Sequence, residues 1–283
     1  MRDPDSKNSR EAEPGTADRR SRVQSAGTAV SVLKALAELG GAASLTSLSA
    51  HLGESPSKVH RYLATLVDAD LALQDPATAR YLLGPEAITI GLAAMRQSAV
   101  LTLAGVELAK LAENHQLSCF AAVLGNHGPT IVRWEEPALP VTVNVRVGSV
   151  LPVLWSATGR AFGAFSGAAL LKELAREELT RATPERRHQL SDQRAVDALF
   201  QEIRALRCAP MRDVLLNGVS AVAAPIFTES GKVAAVITAL GPSGSFDPTP
   251  GASTALLVVH AAENVSARLG YRPDPTKMKA SPV

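Results

Sequence analysis

Three segments with the apolar spacing of helices, followed by two short strand-like runs, occupy residues 23–85. This order constrains the fold more than any other feature of the 283-residue chain. The first segment places its apolar side chains on one helical face, at Ala29, Val32, Leu33, Leu36 and Leu39. The pattern stops at Gly40-Gly41, so the sequence predicts a first helix that ends there.

Two shorter helices are predicted next. Ser44 has the side chain of an N-cap residue, and the helix that it opens closes at Gly53, which suits the left-handed conformation of a helix C-terminus. A third helix is predicted from Ser55-Pro56, because serine can cap it and proline lacks only an N–H that the first turn leaves unpaired. Its buried face consists of Val59, Leu63, Leu66 and Val67.

A hairpin is predicted after the third helix. Residues 71–73 and 80–83 are strand-like, and the polar stretch from Gln74 to Ala79 between them forms a turn. Three helices followed by a hairpin is the order of a winged helix-turn-helix. Residues 23–85 are therefore predicted to form such a domain.

The two ends of the chain lack periodic apolar positions. Residues 1–22 carry charges of both signs, which predicts a disordered tail. Its last part, Arg19 to Arg22, is basic and is either an arm that touches phosphate or an ordinary solvated tail. Residues 273–283 are predicted to form a second flexible tail.

Residues 86–100 are predicted to form a linker helix between two domains. Its apolar stripe consists of Ile88, Leu92, Met95 and Ala99. Such a stripe has to be covered by another surface. The cover is either a partner subunit or the adjoining domain, and the sequence leaves both open.

From Leu117 the spacing changes from helical to extended. Strand-like runs occupy residues 120–124, 130–134, 141–147, 218–225 and 232–240, and the third alternates strictly between apolar and polar side chains. Helices are predicted over residues 102–114, within the charged stretch 168–206, and over residues 255–269. The predicted fold class is α+β, with an antiparallel sheet flanked by helices over residues 101–272.

Composition narrows the functional classes. Aromatic residues make up 4% of the chain, which argues against a stacking platform for single-stranded nucleic acid. Cys119 and Cys208 cannot form a disulfide framework, no signal peptide is evident, and no apolar run reaches the ~18 residues of a membrane span. A cytoplasmic protein without a membrane partner is therefore expected. The net charge of +2 does not by itself indicate nucleic-acid binding.

Two alternatives to a DNA-binding protein are an enzyme and a ligand sensor that binds another protein. The sequence contains no G-x-S-x-G, H-E-x-x-H, C-x-x-C or G-x-G-x-x-G motif and no phosphate-binding glycine loop. His115, Cys119 and His127 are candidate metal ligands, but the predicted break after Asn114 spoils their helical spacing. No catalytic residue, metal or cofactor is predicted. In the other alternative, the N-terminal domain of a ligand sensor binds a protein instead of DNA.

Several short motifs carry a resemblance to a known family. They are SLTSLSAHLG at 44–53, KVHRYLATL at 58–66, YLLGP at 81–85, SATGRAF at 156–162, GVSAVAAP at 218–225 and GP at 241–242. In this order and spacing, the chain resembles the IclR-type bacterial transcriptional regulators over about residues 23–269. The resemblance implies a winged helix-turn-helix, a linker helix and a GAF-like effector domain. It also implies control of catabolic genes by dimers, or by tetramers built from dimers, in response to a small organic acid.

The candidate DNA-binding residues lie on the third helix and the wing. They are Ser55, Ser57, Lys58, His60, Arg61, Thr65 and Arg80. Arginine can fork onto guanine in a major groove, and serine at a helix N-terminus can meet phosphate. His60 is equally well explained by capping or packing. The resemblance implies that Arg80 reaches the minor groove or the backbone.

The charge of this domain predicts how many copies bind. Residues 23–85 contain the basic Lys34, Lys58, Arg61 and Arg80 and the acidic Glu38, Glu54, Asp68, Asp70 and Asp75, a net charge of −1. One such domain binds DNA weakly, whereas two copies on adjacent half-sites add their binding free energies. The predicted partners are therefore double-stranded DNA with a pseudo-palindromic operator and a second copy of the chain.

The resemblance implies an effector pocket between the sheet and the loop Trp155 to Arg160. Small residues there either let backbone N–H groups at a helix start approach an anion, or form a tight turn needed only for packing. The candidate effector-binding residues are Val143, Val145, Ala157, Thr158, Gly159, Met211, Ala221, Thr238 and Leu240.

This pocket departs from the family pattern. The run of acids common before Gly218 is replaced by MRDVLLN, the common cysteine by Ala221, and two serines by Thr238 and Leu240. Each change except serine to threonine removes a polar group. An aromatic or medium-sized hydrophobic carboxylate is therefore expected, held by the backbone around Thr158. Arg212 either neutralises the acid or faces water.

Overall fold

The computed structural model describes residues 23–138 and 143–273. The predicted N-terminal tail, with its basic Arg19 to Arg22, lies outside the described residues, and so does the predicted C-terminal tail apart from Pro273. The chain divides into two compact units between Ala94 and Met95. Each unit is described by itself.

The N-terminal unit contains the three predicted helices and the hairpin. The helices are α1 (Gln24–Glu38), α2 (Leu45–Leu52) and α3 (Pro56–Asp68), and the hairpin consists of the antiparallel strands β1 (Ala72–Gln74) and β2 (Tyr81–Leu83). Their apolar faces meet in one core of Val32, Leu36, Leu48, Val59, Leu63, Ala72 and Tyr81. An additional bridge between Ala43 and Tyr81 ties the α1–α2 loop to the wing.

Helix ends in this unit follow local chemistry. The Ser44 hydroxyl accepts a hydrogen bond from the Ser47 amide at 3.0 Å, and Gly53 closes α2 at φ +64°. Ser55 occupies the N-cap position of α3, but its side chain makes no capping hydrogen bond. Its hydroxyl lies 3.4 Å from that of Ser57 instead. The prediction that the Ser55 side chain caps α3 is therefore wrong.

Helix α4 (Pro85–Gln97) corresponds to the predicted linker, and it buries none of its side chains. Ile88, Ile90 and Leu92 are 64%, 53% and 49% exposed. The helix ends two residues before Ala99, which is the first residue of α5 (Ala99–His115). The predicted stripe therefore loses its last member, because Ser98 caps α5 by accepting from the Leu101 amide.

The C-terminal unit is a five-stranded antiparallel sheet between two layers of helices. In the order β4-β3-β7-β6-β5, its strands are β3 (Ser118–Gly125), β4 (Gly128–Glu135), β5 (Ala209–Arg212), β6 (Val219–Phe227) and β7 (Val233–Pro242). One face packs on α6 (Ala157–Phe165), α7 (Ala169–Thr180) and α9 (Gln193–Leu206), and the other on α5 and α10 (Ser253–Arg268). The short helix α8 (Pro184–Gln189), which follows α7 in the chain, buries none of its residues. The α+β prediction is confirmed.

Two predictions about strands need correction. Residues 143–147 are not a strand, although Val143 and Val145 pack against the core, and residues 141 and 142 lie outside the described part. Alternation of apolar and polar side chains shows only that one side of a segment is buried. A loop that lies on the core has the same pattern although it pairs with no neighbouring strand. Conversely, β5 was not expected, because its four residues are few and include Pro210. Proline is tolerated there because β5 is an edge strand.

No single helix among the described residues is long and apolar enough to cross a membrane. Helices α4 and α5 reach the length and apolar composition of a membrane-spanning helix only if they are counted as one helix across the break at Ser98.

Candidate functional site

Helix α3 separates an apolar from a polar face. Val59, Leu63 and Leu66 are buried in the core of the N-terminal unit. The other side of the helix exposes Ser57, His60, Arg61 and Thr65, with Lys58 half-buried. The outward face therefore offers hydroxyls and cations, as required of a helix that enters a DNA groove.

The two cations of this face differ in their surroundings. The Lys58 ammonium lies 2.7 Å from a Glu54 carboxylate oxygen, so its charge is partly neutralised by a residue of the loop that precedes α3. The Arg61 guanidinium makes no ion pair with any described residue, and the Arg61 carbonyl accepts from the Thr65 hydroxyl at 3.3 Å. Arg61 is consequently the more available of the two for an external acceptor.

The wing places Arg80 at the base of a rigid turn. The Asp75 amide donates to the Arg80 carbonyl at 2.8 Å, and Ala79 adopts φ +54°. The Asp75 carboxylate accepts from the Thr78 hydroxyl and the Ala77 amide, and these bonds lower the pKa of Asp75. Arg80 is exposed, and it makes no ion pair with any residue that the structure describes.

A cavity of about 50 Å³ lies between the sheet and the start of α6. Eight of the nine predicted effector residues line it: Val143, Val145, Ala157, Thr158, Met211, Ala221, Thr238 and Leu240. The sequence analysis missed Phe120, Leu151, Ser156, Leu215, Leu216 and Val219, which also line it. The apolar pair Leu215-Leu216, in the stretch already singled out as a departure from the expected family pattern, was the signal available for two of them.

Gly159 is the predicted residue that does not line the cavity. Its amide donates to the Ser156 hydroxyl at 2.9 Å, which is the N-cap interaction of α6. A Cβ atom at this position would collide with the Pro152 carbonyl and the Val153 backbone. Glycine is therefore explained here by close packing of the helix on the preceding loop, and its N–H is already occupied.

The cavity wall is apolar apart from a few hydroxyls. The hydroxyls of Thr158 and Thr238 form a buried hydrogen bond of 2.8 Å across the junction of α6 and β7. Phe120, on the floor, stacks on Trp134 with the ring centroids 5.3 Å apart. This environment suits a ligand with a planar apolar body and a small number of polar atoms.

Arg212 faces away from this cavity. Its guanidinium donates to the Ser243 carbonyl at 2.8 Å and lies 3.5 Å from an Asp247 carboxylate oxygen. Side chains alternate along β5, so Met211 points into the cavity and Arg212 does not. Of the two readings of Arg212, the structure therefore favours the one in which it lies outside the pocket.

The loop before α6 is fixed by two charged side chains. The two carboxylate oxygens of Glu178 accept from the amides of Val153 and Leu154 at 2.6 and 2.8 Å. Burial raises the pKa of Glu178. Arg160 donates to the Leu154 carbonyl at 2.7 Å, and burial lowers its pKa to about 10. Nothing in the sequence indicated these contacts, because Glu178 is 24 residues from Leu154.

The candidate metal ligands do not form a site. Within residues 23–138 and 143–273, no three His, Cys, Asp or Glu side chains are arranged to hold a metal ion. Cys119 is buried in the core, where its thiol donates to the Leu108 carbonyl. Burial raises the pKa of Cys119 to about 12, so the thiolate that would bind a metal is disfavoured.

Two protein families together match nearly all of the described chain. Residues 25–76 match the IclR helix-turn-helix domain, and residues 92–267 match the family described as bacterial transcriptional regulator IclR C-terminal. The members of these families, and the relatives below, are transcriptional regulators and not enzymes.

Individual proteins give the same result. The chain is 25% identical to the HTH-type transcriptional repressor AllR of Klebsiella pneumoniae, over 86% of this chain and 89% of that protein. It is 28% identical to the HTH-type transcriptional regulator BhcR of Paracoccus denitrificans (strain Pd 1222), over 81% of this chain and 82% of that one. The crystal structure of Pseudomonas aeruginosa HmgR is 41% identical, with a TM-score of 0.55 over 88% of this chain and 99% of that chain.

Proposed function

The chain belongs to the IclR family of bacterial transcriptional regulators, and from this membership we propose how it acts. A homodimer binds a pseudo-palindromic operator through α3 and the wing, in the cytoplasm, and controls catabolic genes. An aromatic or medium-sized hydrophobic carboxylate in the cavity beside α6 changes its affinity for DNA. The observation that carries the proposal is an exposed, cationic α3 in a family-typical helix-turn-helix, combined with an apolar cavity in the second unit.

The DNA contacts divide into two kinds. Arg61, exposed and without an ion pair among the described residues, reads a guanine edge through its two-pronged guanidinium. Ser55 and Ser57, at the N-terminus of α3, meet phosphate together with the helix dipole. Lys58, Thr65 and Arg80 contribute to backbone contacts, and His60 is exposed on the same face.

Two observations support a dimer. The net charge of −1 over residues 23–85 leaves one domain with little electrostatic affinity for DNA. In addition, α4 exposes Ile88, Ile90 and Leu92, which a second copy of the chain would cover. We assign this helix to the contact between subunits.

The ligand class follows from the cavity wall. Leu215, Leu216 and Leu240 surround the cavity with aliphatic carbon, and Phe120 offers a ring face. The Thr158–Thr238 pair supplies hydroxyls at one end. Because Arg212 is engaged elsewhere, the carboxylate of the ligand meets the N-terminus of α6, where the first amides have no partner within the helix.

The volume of this cavity sets a condition on binding. A cavity of about 50 Å³ is smaller than the ~150 Å³ that accommodates benzene in an engineered protein cavity. An aromatic ligand therefore requires the walls to move outward. The wall segments outside helices and strands are residues 143–151 and 213–218, so we assign the movement to them. Such a movement gives the ligand different affinities for two states, which is what a regulatory ligand needs.

DNA binding is tested by titrating the full chain with promoter fragments of its own gene and of neighbouring genes. Specific binding should weaken steeply with salt, because phosphate contacts release counterions. A scrambled fragment of equal length is the control. Salt-independent binding, or equal affinity for the scrambled fragment, would contradict the operator proposal.

The same titration distinguishes a DNA-binding regulator from a ligand sensor that binds another protein. A sensor of that kind would show no specific affinity for any promoter fragment, and would instead retain a protein through its N-terminal unit.

The ligand class is tested by calorimetry with benzoate, 4-hydroxybenzoate, hexanoate and glyoxylate. The aromatic acids and hexanoate should bind, and glyoxylate should not, because a small polar acid loses its hydration at the apolar wall without gaining apolar contacts in return. Tight binding of glyoxylate alone would overturn the apolar-pocket proposal while leaving the family assignment untouched.

A further inference from the structure

A second cavity lies in the C-terminal unit, at the edge of the sheet where β5 is shorter than its neighbour. Strand β5 pairs with β6 only between Ser220 and Ala223. Beyond Ala223, the described residues place no strand against the outer edge of β6, and a cavity of about 230 Å³ occupies that space. Helix α10 and the C-terminal ends of α6 and α9 supply its other walls.

The exposed edge of β6 is not built to accept another strand. The Asp213 amide donates to the Val219 carbonyl, so every second residue from Val219 onward directs its backbone groups to this edge. Of these residues, Pro225 has no N–H, and the Phe227 amide donates to the Ser266 hydroxyl at 3.0 Å. The donors needed for pairing with a further strand are thus absent or already used.

The wall of this cavity is aromatic on one side. The rings of Phe165 and Phe227 meet edge to face with their centroids 5.7 Å apart. The ring centroids of Phe227 and Tyr271 are 4.8 Å apart. Aliphatic lining comes from Pro225, Val259, Ala262 and Ala267. Ring–ring contacts favour offset or edge-on packing, so an additional flat ring can join this cluster.

One ion pair borders the cavity. A terminal guanidinium nitrogen of Arg207 lies 2.8 Å from a Glu263 carboxylate oxygen, and the two side chains are 41% and 39% exposed. Arg207 ends α9 in the left-handed conformation, at φ +60°. A guanidinium has five N–H donors, so this single contact leaves donors available for a second carboxylate.

These features together define the ligand. The cavity exceeds the ~150 Å³ that accommodates benzene, so a single ring fits without movement of the walls. Arg207 repels a cationic ligand and attracts a carboxylate, whereas Glu263 competes with the ligand for the same guanidinium. We propose that this cavity is a second small-molecule site, which binds a monocyclic aromatic carboxylate with its ring against Phe227 and its acid on Arg207.

The site is independent of the cavity beside α6. None of its lining residues contributes to that cavity. The proposal therefore stands or falls separately from the effector proposed above, although both sites take the same class of acid.

The test is benzoate binding to the full chain by calorimetry, with two variants of opposite expected effect. Arg207→Asn removes the guanidinium and keeps a residue that tolerates positive φ. The affinity of benzoate for the cavity bordered by Arg207 should therefore fall at least tenfold. Glu263→Gln removes the competing carboxylate, so the same affinity should rise several-fold. Thermal melts of both variants show whether the fold is kept.

Ala221→Phe, which fills the cavity beside α6, separates the two proposals. Retained binding in this variant together with loss in Arg207→Asn supports the second site, whatever happens to the first. Binding that Ala221→Phe abolishes and that neither Arg207→Asn nor Glu263→Gln changes overturns the second site. If Ala221→Phe does not fold, the opposite shifts of the two ion-pair variants decide alone.

Discussion

The hydroxyls of Thr158 and Thr238, which belong to residues 80 positions apart, lie 2.8 Å from each other in the wall of the cavity beside α6. Both side chains are almost fully buried. In the described part of the molecule each hydroxyl has the other as its partner, so the pair joins α6 to β7 within the wall of this cavity.

Removing one member of this pair should cost more than removing both. Thr238→Val leaves the Thr158 hydroxyl buried without a partner, which should lower the free energy of unfolding by about 1–3 kcal/mol. The double variant Thr158→Val/Thr238→Val should recover most of that loss. Urea unfolding of the wild type, of Thr158→Val, of Thr238→Val and of the double variant measures the coupling, and additive losses would contradict the pairing.

Burial of the Glu178 carboxylate, which outweighs its hydrogen bonds to the loop before α6, should make stability depend on pH. Burial raises the pKa of Glu178, so the folded chain binds more protons than the unfolded chain just above the ordinary value of 4.5. The free energy of unfolding contributed by this group therefore falls as pH rises from 4.5 through the raised pKa. Glu178→Gln should lack this fall.

The measurement is the difference in unfolding free energy between wild type and Glu178→Gln, followed across the acidic range. The other carboxylates contribute equally to the pH dependence of both proteins, so their contributions cancel in the difference. A difference that does not change with pH would show that Glu178 titrates as in the unfolded chain.

Gly159→Ala should destabilise the second unit. The added Cβ collides with the Pro152 carbonyl and the Val153 backbone, neither of which can rotate away. We expect a loss of about 1–3 kcal/mol and weaker effector binding, because the loop and α6 both border the cavity. Gly163→Ala, where the obstacle is the Phe200 side chain, is the matched control and should cost less.

Arg61→Ala should abolish specific operator binding and leave the fold intact. The side chain is exposed, so its loss removes no core contact, while a bidentate base contact is worth about 1–3 kcal/mol in each half-site. Lys34→Ala removes the same charge from α1 and should change specific affinity far less. A wild-type footprint with Arg61→Ala would refute the role assigned to α3.

Glu54 should restrain DNA binding through Lys58. Glu54→Gln frees the ammonium that lies 2.7 Å from the carboxylate, so affinity for any DNA sequence should rise. Lys58→Gln should lower it for all sequences and reduce the salt slope by about 1 for each subunit, or about 2 for the dimer. Equal DNA affinity of the two variants would exclude Lys58 from the interface.

Long periodic segments could be predicted from the sequence, and isolated contacts could not. The apolar positions of α3 recur at helical spacing, so Val59, Leu63 and Leu66 were predicted correctly as buried, whereas Val67 is only partly buried. The segment around Val143 and Val145 was mistaken for a strand, because alternation shows which side is buried but not whether a paired strand exists.

The candidate site shows the same division. Eight cavity residues were placed by resemblance to a family with a known pattern, and the structure brings them together. The Glu178 contact with the Leu154 amide and the direction of Arg212 depend on how distant elements meet. No local signal in the sequence reports such contacts.

The deficit of positive charge in the DNA-binding unit has a consequence for the cell. A chromosome offers on the order of 10⁶–10⁹ competing sites that attract any cationic protein. A net charge of −1 over residues 23–85, with Lys58 held by Glu54, keeps that background attraction small. We therefore expect fewer copies of the regulator to be sequestered on unrelated sequence, and a modest number of molecules to occupy the proposed operator.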